Sequence, residues 1–120
     1  MWKYYNANEF GHDIADCSIR ALSVAEHITW DEAYQKLCNY ARNRGLMINS
    51  VESIESYLDN NYERVMTYPQ ETVREFAKDC NYGIYLITMA GHITVLKDGI
   101  VYDTFDCTNR EIWSVWRIEW

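Results

Sequence analysis

The hydrophobic positions of this chain change period near residue 81, dividing it into a helical first part and a stranded last part. Residues 17–26 predict a first helix, with Asp16 as its N-cap and Ile14 and Ile19 as apolar contacts. Thr29-Trp30-Asp31-Glu32 is a capping box, the Thr29 hydroxyl reaching forward to a backbone N–H and the Glu32 carboxylate reaching back. The helix it opens runs to about Arg44, on a stripe of Ala33, Leu37, Tyr40 and Ala41 with Tyr34 and Cys38 beside it. Arg42 and Arg44 suit its negative end, and Gly45 is the stop just past it. Asn49 and Ser50 precede a third helix of about 51–59, ending at Asn60-Asn61. Residues 63–67 read as a short strand. Pro69 suits the first turn of a fourth helix through Lys78, with Val73, Phe76 and Ala77 inward.

After Asn81 the pattern is that of strands. Gly83-Ile84-Tyr85-Leu86-Ile87-Thr88 is rich in β-formers, and Ile93-Thr94-Val95-Leu96 follows it. Asp98-Gly99 is a two-residue hairpin signal between Lys97 and Ile100; Ile100 to Phe105 returns, and residues 114–118 make a last strand. Helices first and an antiparallel sheet afterwards predict an α+β fold, N-terminal helices packed on a C-terminal antiparallel β-sheet, in a single domain over residues 1–120.

Composition narrows the functional classes. The 48% hydrophobic and 24% charged residues are those of a globular chain. With a net charge of −7 and no Lys/Arg stripe, neither nucleic acid nor an anionic membrane surface is expected as a partner. No apolar run approaches a bilayer span, and the N-terminal residues lack the order of a secretory signal, so a cytoplasmic protein is expected. Cys17, Cys38, Cys80 and Cys107 lack the close spacing of a stapled scaffold and read as reduced thiols. No Cys-x-x-Cys or His-Glu-x-x-His run points to zinc, and no metal or other cofactor is expected.

Three residues stand out chemically. A cysteine on a helix is ordinarily a small buried hydrophobe, which suits Cys38 and Cys80. Cys17 differs because it opens a helix, where unpaired backbone N–H groups and the positive dipole end favour a thiolate and can hold an oxyanion. Asp16 opposes that ionisation unless it is turned away as the cap. His92 is placed by hairpin arithmetic. If Lys97 pairs with Ile100, then Thr94 faces Asp103 and His92 faces Phe105, so His92 and Asp103 lie diagonally on one face. The carboxylate then orients one imidazole nitrogen while the other faces a nucleophile. The alternative is a structural histidine, with Asp103 beginning the exit into a loop. Asp106 falls on the opposite parity. His27 suits the last carbonyls of the first helix, His12 lies in a loop before Cys17, and Cys107 is either a second reactive thiol or a packing residue.

The segments Asp16-Cys17-Ser18-Ile19-Arg20-Ala21-Leu22 and Gly91-His92-Ile93-Thr94-Val95-Leu96-Lys97-Asp98-Gly99-Ile100-Val101-Tyr102-Asp103-Thr104 resemble the papain-like cysteine peptidases. The likeness is greatest to short bacterial and phage-encoded versions related to the bacteriocin-leader peptidases. It implies a papain-like fold with Cys17 as nucleophile, His92 as general base and acid, and Asp103 as the orienting group. It further implies thiol-dependent hydrolysis of a peptide or amide bond in a peptide or protein substrate, through an acyl-enzyme on Cys17. Many members carry a Gln six residues before the nucleophile to complete the oxyanion hole; here that position is Gly11, and Asn6, Asn8 and His12 are the substitutes available. Two other readings use the same residues: a transglutaminase-type acyltransferase, and a catalytically silent papain-like domain that binds a partner protein. Trp2, Tyr4 and Tyr5 are candidates for a groove lining, with core or rim packing as the alternative.

Overall fold

The structure is a computed structural model that describes residues 1–119. In chain order its elements are β1 (Trp2–Tyr4), α1 (Cys17–Glu26), α2 (Trp30–Asn43), α3 (Val51–Asn61), β2 (Glu63–Val65), α4 (Val73–Asp79), β3 (Ile84–Met89), β4 (His92–Lys97), β5 (Ile100–Asp103) and β6 (Ser114–Glu119). Among the described residues these are four helices and one six-stranded sheet of order β1-β5-β4-β3-β6-β2, an α+β arrangement. No helix among them is long and apolar enough to cross a membrane.

Strand alternation decides what each sheet face meets. Ile84 and Leu86 of β3, Ile93 and Val95 of β4 and Trp116 of β6 pack against α1, α2 and α3. The alternate residues, Tyr85, Ile87, Met89, Leu96, Val101 and Val115, pack against α4, Cys107 and Ile112. All six residues of β3 are buried, which is why its sequence is nearly continuous in apolar residues and not alternating.

The helix boundaries follow their caps. Thr29 and Glu32 form both bonds of the capping box on α2. At its end Gly45 takes φ 70°, with Gly45 N bonding Arg42 O and Leu46 N bonding Ala41 O, a Schellman closure. The fourth helix begins later than Pro69 predicts. Thr72 and Glu75 form a second capping box there, and Gln70 turns the chain through φ 62° between Pro69 and the cap. The reciprocal box supplies two hydrogen bonds, whereas proline at a first turn only tolerates a helix.

The sheet is mixed and not purely antiparallel, because β1 pairs parallel to β5 through Trp2↔Val101, Lys3↔Tyr102 and Tyr4↔Asp103. A three-residue strand has no readable period of its own; its partner creates it. Three smaller differences concern ends. β2 stops at Val65, β5 stops at Asp103, and α3 continues to Asn61.

Leu86 lies in the central strand with no exposed surface, on the face under α1. Leu86→Ala is expected to cost about 2–5 kcal/mol through lost burial and the cavity left behind. Urea denaturation measures it as a lower midpoint at unchanged slope.

Candidate active site

The site begins with a ladder that ends early. β4 and β5 pair only through Lys97↔Ile100, Leu96↔Val101 and Val95↔Tyr102. Asp98 (φ 50°) and Gly99 (φ 80°) form the connecting turn, both with the positive φ that a tight two-residue hairpin demands. Beyond Val95 the β5 side of β4 has no strand partner, and the first turn of α1 fills that opening. Cys17, His92 and Ile93 line one cleft, and both His92 and the Ile93 backbone act on the Cys17 thiol to favour its ionised form.

His92 Nε2 lies 2.7 Å from Asp103 Oδ2, so Nδ1 is the ring nitrogen the carboxylate does not use. The hairpin arithmetic therefore describes the geometry found: His92 and Asp103 share a face, and Phe105 stacks on the imidazole with ring centroids 4.7 Å apart. Asp103 is 3% exposed and accepts from four further groups. Thr94 Oγ1 donates to Oδ2 at 2.6 Å, Arg20 Nη1 to Oδ1 at 3.1 Å, and Thr104 N to Oδ1 at 2.7 Å. The buried Cys107 Sγ is a long 3.9 Å from Oδ2.

Asp16 does not cap α1 with its side chain. Its carboxylate instead accepts from Arg20 Nε at 2.8 Å and from Trp30 Nε1 at 2.9 Å, a buried pair one turn along the helix. This geometry removes the opposition expected from Asp16, since Arg20 neutralises it. It also leaves the N–H groups at the start of α1 without a side-chain acceptor; the first backbone bond at that end runs from Arg20 N to Asp16 O at 2.9 Å. Ile14, expected as an apolar contact, is half exposed, whereas Ile19 is buried.

The electrostatics are those of a polarised thiol–imidazole pair. Burial pushes the Cys17 thiol up, but hydrogen bonds from His92 and Ile93 and the positive charges of His92 and Arg20 outweigh it, so the thiol ionises below its ordinary range. Burial pushes His92 down, but its bonds to Asp103, Cys107 and Cys17 and the Asp103 charge raise it to about 11. Burial raises Asp103, and the bonds from His92 and Thr94 with the His92 charge bring it below the usual carboxylate range. The two shifts run in the directions that favour a thiolate–imidazolium pair, Cys17 lowered and His92 raised.

The other candidates lie elsewhere. Neither Asn6, Asn8 nor His12 lines the cleft that holds Cys17 and His92. Asn6 Oδ1 accepts from Asn8 N, the buried Asn8 accepts from Phe10 N through Oδ1, and His12 is exposed beside the Phe10 ring. His27 adopts φ 57° at the end of α1, and its ring reaches Glu119 at 3.2 Å; backbone N–H groups of His27 and Ile28 satisfy the last carbonyls it was expected to serve. Arg20 and Trp30 were not singled out by sequence reasoning, although Arg20 stands at i+3 from Cys17 and i+4 from Asp16, the spacing that shares a helix face.

One cluster resembles a metal site: His92, Asp103 and Cys107 bring ligand atoms within 4.8 Å of one another. The donor set argues for a hydrogen-bond network instead. Asp103 Oδ2 already accepts from His92 and Thr94, and a cation placed there would face the Arg20 guanidinium 3.1 Å from the other oxygen.

A cleft of about 270 Å³ opens beside Cys17 and His92, walled by Ile54 and Val51 of α3, Met89, and Trp113. Searches of known protein families, curated proteins and solved structures find no match to this chain.

Two outcomes follow from the charges. Iodoacetamide at pH 7 labels Cys17 before Cys38 and Cys80, and His92→Ala slows that labelling about tenfold by returning the thiol toward its ordinary pKa; peptide mass mapping reads both. Asp103→Ala, which leaves the buried His92 without its carboxylate and Arg20 with Asp16 alone, lowers stability by about 3–5 kcal/mol in urea titration. The pH dependence has a definite sign. Asp103 is depressed, so its contribution is present above its unfolded pKa and is lost as pH falls through the folded value. His92 is raised, so its contribution is full below its unfolded pKa and is lost as pH rises toward about 11.

Proposed function

We propose that this protein is a papain-like cysteine hydrolase that cleaves a peptide or related amide bond through an acyl-enzyme on Cys17. The observation that carries the reading is the order thiol–imidazole–carboxylate, with His92 Nε2 2.7 Å from a buried Asp103 and Cys17 lining the same cleft as His92, which lowers its thiol pKa. A packing cysteine has no need of either partner. Four free thiols suit a reducing, cytoplasmic setting, and the net charge of −7 suits a peptide substrate better than nucleic acid.

In this mechanism the Cys17 thiolate attacks the carbonyl carbon of the bound amide, and the carbonyl electron pair moves onto oxygen. The uncapped N–H groups opening α1 face that oxyanion; the Gly11 position contributes no side-chain donor. Collapse of the tetrahedral intermediate expels the amine, which takes its proton from the His92 imidazolium. The neutral imidazole then removes a proton from water, and the hydroxide equivalent attacks the thioester and frees the acid and the thiolate. Asp103 holds the ring orientation throughout, and Thr94 and Arg20 hold Asp103.

The test is a peptide library incubated with the protein and read by mass spectrometry. Cleavage is expected, with a thioester adduct on Cys17. Cys17→Ala abolishes it, and Asp103→Asn lowers kcat by about 100–10,000-fold while leaving the thiol in place. Amine incorporation dominating over cleavage would transfer the reading to an acyltransferase. Intact peptides together with sluggish labelling of all four cysteines would identify a binding domain.

A further inference from the structure

The lining of the cleft beside the thiol is mainly apolar, with Asn49, Ser50 and Thr88 among its polar residues and Glu55 as a carboxylate. Val51 and Ile54 of α3, Met89 and Trp113 are apolar, and Val51 and Trp113 are 57% and 61% exposed, an open surface with nothing packed on it. Trp113 is nevertheless held in place, because its backbone N–H donates to Thr88 O at 2.8 Å. Glu55 lines the same cleft and is half-buried as a residue. No described residue hydrogen-bonds or ion-pairs with it. Arg64 feels its charge, yet the guanidinium fork of Arg64 is held by Asp59 at 2.8 and 3.0 Å. Glu55 thus lines the cleft without a hydrogen-bond or ion-pair partner among the described residues.

Resting on the hydrolase reading above, we infer that the cleft selects substrates with a lysine or arginine side chain within two residues of the scissile carbonyl. The aliphatic stem lies on Trp113, Met89 and Ile54, and the cationic head meets Glu55. The chemistry matches at both ends. Long basic side chains bury their methylenes and keep the charge at a polar group, and an indole face attracts the cation that passes over it. A purely apolar side chain would fill the walls but leave Glu55 desolvated without a partner, which costs affinity. An acidic side chain would meet like charge.

The experiment uses peptidyl acyloxymethyl ketones, which alkylate a reactive thiol only after the peptide is seated. Pairs are identical except for lysine or norleucine at the first or second residue before the ketone, and labelling of Cys17 in the full chain is followed by mass spectrometry. The lysine member of one pair is expected to react at least about tenfold faster, the difference one added ion pair supplies. Glu55→Gln brings the two members to within about twofold, Glu55→Lys passes the advantage to a glutamate member, and Trp113→Ala slows lysine and norleucine members alike. Iodoacetamide, which has no side chain to seat, reports the thiol by itself. Rapid iodoacetamide labelling with no lysine preference at either position, or a preference that survives Glu55→Gln, overturns the inference and leaves the hydrolase reading standing. If iodoacetamide also fails to distinguish Cys17 from Cys38 and Cys80, the hydrolase reading falls and takes this inference with it.

Discussion

A single carboxylate ties the two halves of this molecule together. Asp103 is buried, and its two oxygens accept from His92 and Thr94 on β4, from Arg20 on α1 and from the backbone of Thr104. Burying a charge is costly unless it is paired and its lone pairs are filled, and here both conditions are met. The contact with Arg20 fixes the start of α1 against the sheet; the contact with His92 fixes the imidazole. Thiol and base are thus brought together by the group that orients the base, so assembly of the site and docking of the helix on this side of the sheet are one event.

The backbone of Asp103 is secured separately. Its carbonyl accepts from Tyr5 N at 3.0 Å and from Trp2 Nε1 at 3.2 Å, both from the N-terminal strand and its exit. β1 is therefore a brace: it pairs parallel to β5 at Val101, Tyr102 and Asp103, the last of these one residue beyond the last β4–β5 pair. This gives the exposed aromatic start of the chain a structural role in holding the carboxylate, distinct from any role in lining a groove.

What was legible in the sequence was whatever a local rule determines. Asp98-Gly99 demands a two-residue turn, the turn sets the register, and the register puts His92, Thr94 and Asp103 on one face, so the diagonal contact could be counted out from residue numbers alone. The Thr29/Glu32 box and Gly45 bounded α2 for the same reason. Features that depend on a distant partner were not legible. Asp16 is a good cap by type, but Arg20 and Trp30 offer its carboxylate two charge-assisted or buried donors, and these win over the helix N–H groups. Pro69 could start a helix, yet the Thr72/Glu75 box fixes the start of α4 at Val73. The parallel strand at the N-terminus is invisible until β5 exists. Gly11, where the resembling peptidases have a Gln, remains a departure, and neither Asn6 nor His12 replaces it at the cleft.

A chain of net charge −7 is an unpromising host for a thiolate, and the arrangement of Arg20 shows how the conflict is met. The guanidinium lies between two carboxylates, Asp16 and Asp103, at 2.8 and 3.1 Å, so neither presents an uncompensated negative charge to the sulfur one turn away. The residual positive field of Arg20 reaches Cys17, and its effect adds to that of His92. The net charge of −7 over the whole chain acts at long range. Such a field raises the encounter rate of cationic ligands and lowers that of anionic ones without altering the thiol chemistry. On the reading proposed above, the net charge of −7 and the Glu55 side chain in the cleft favour the same sign of substrate, one through encounter and the other through seating.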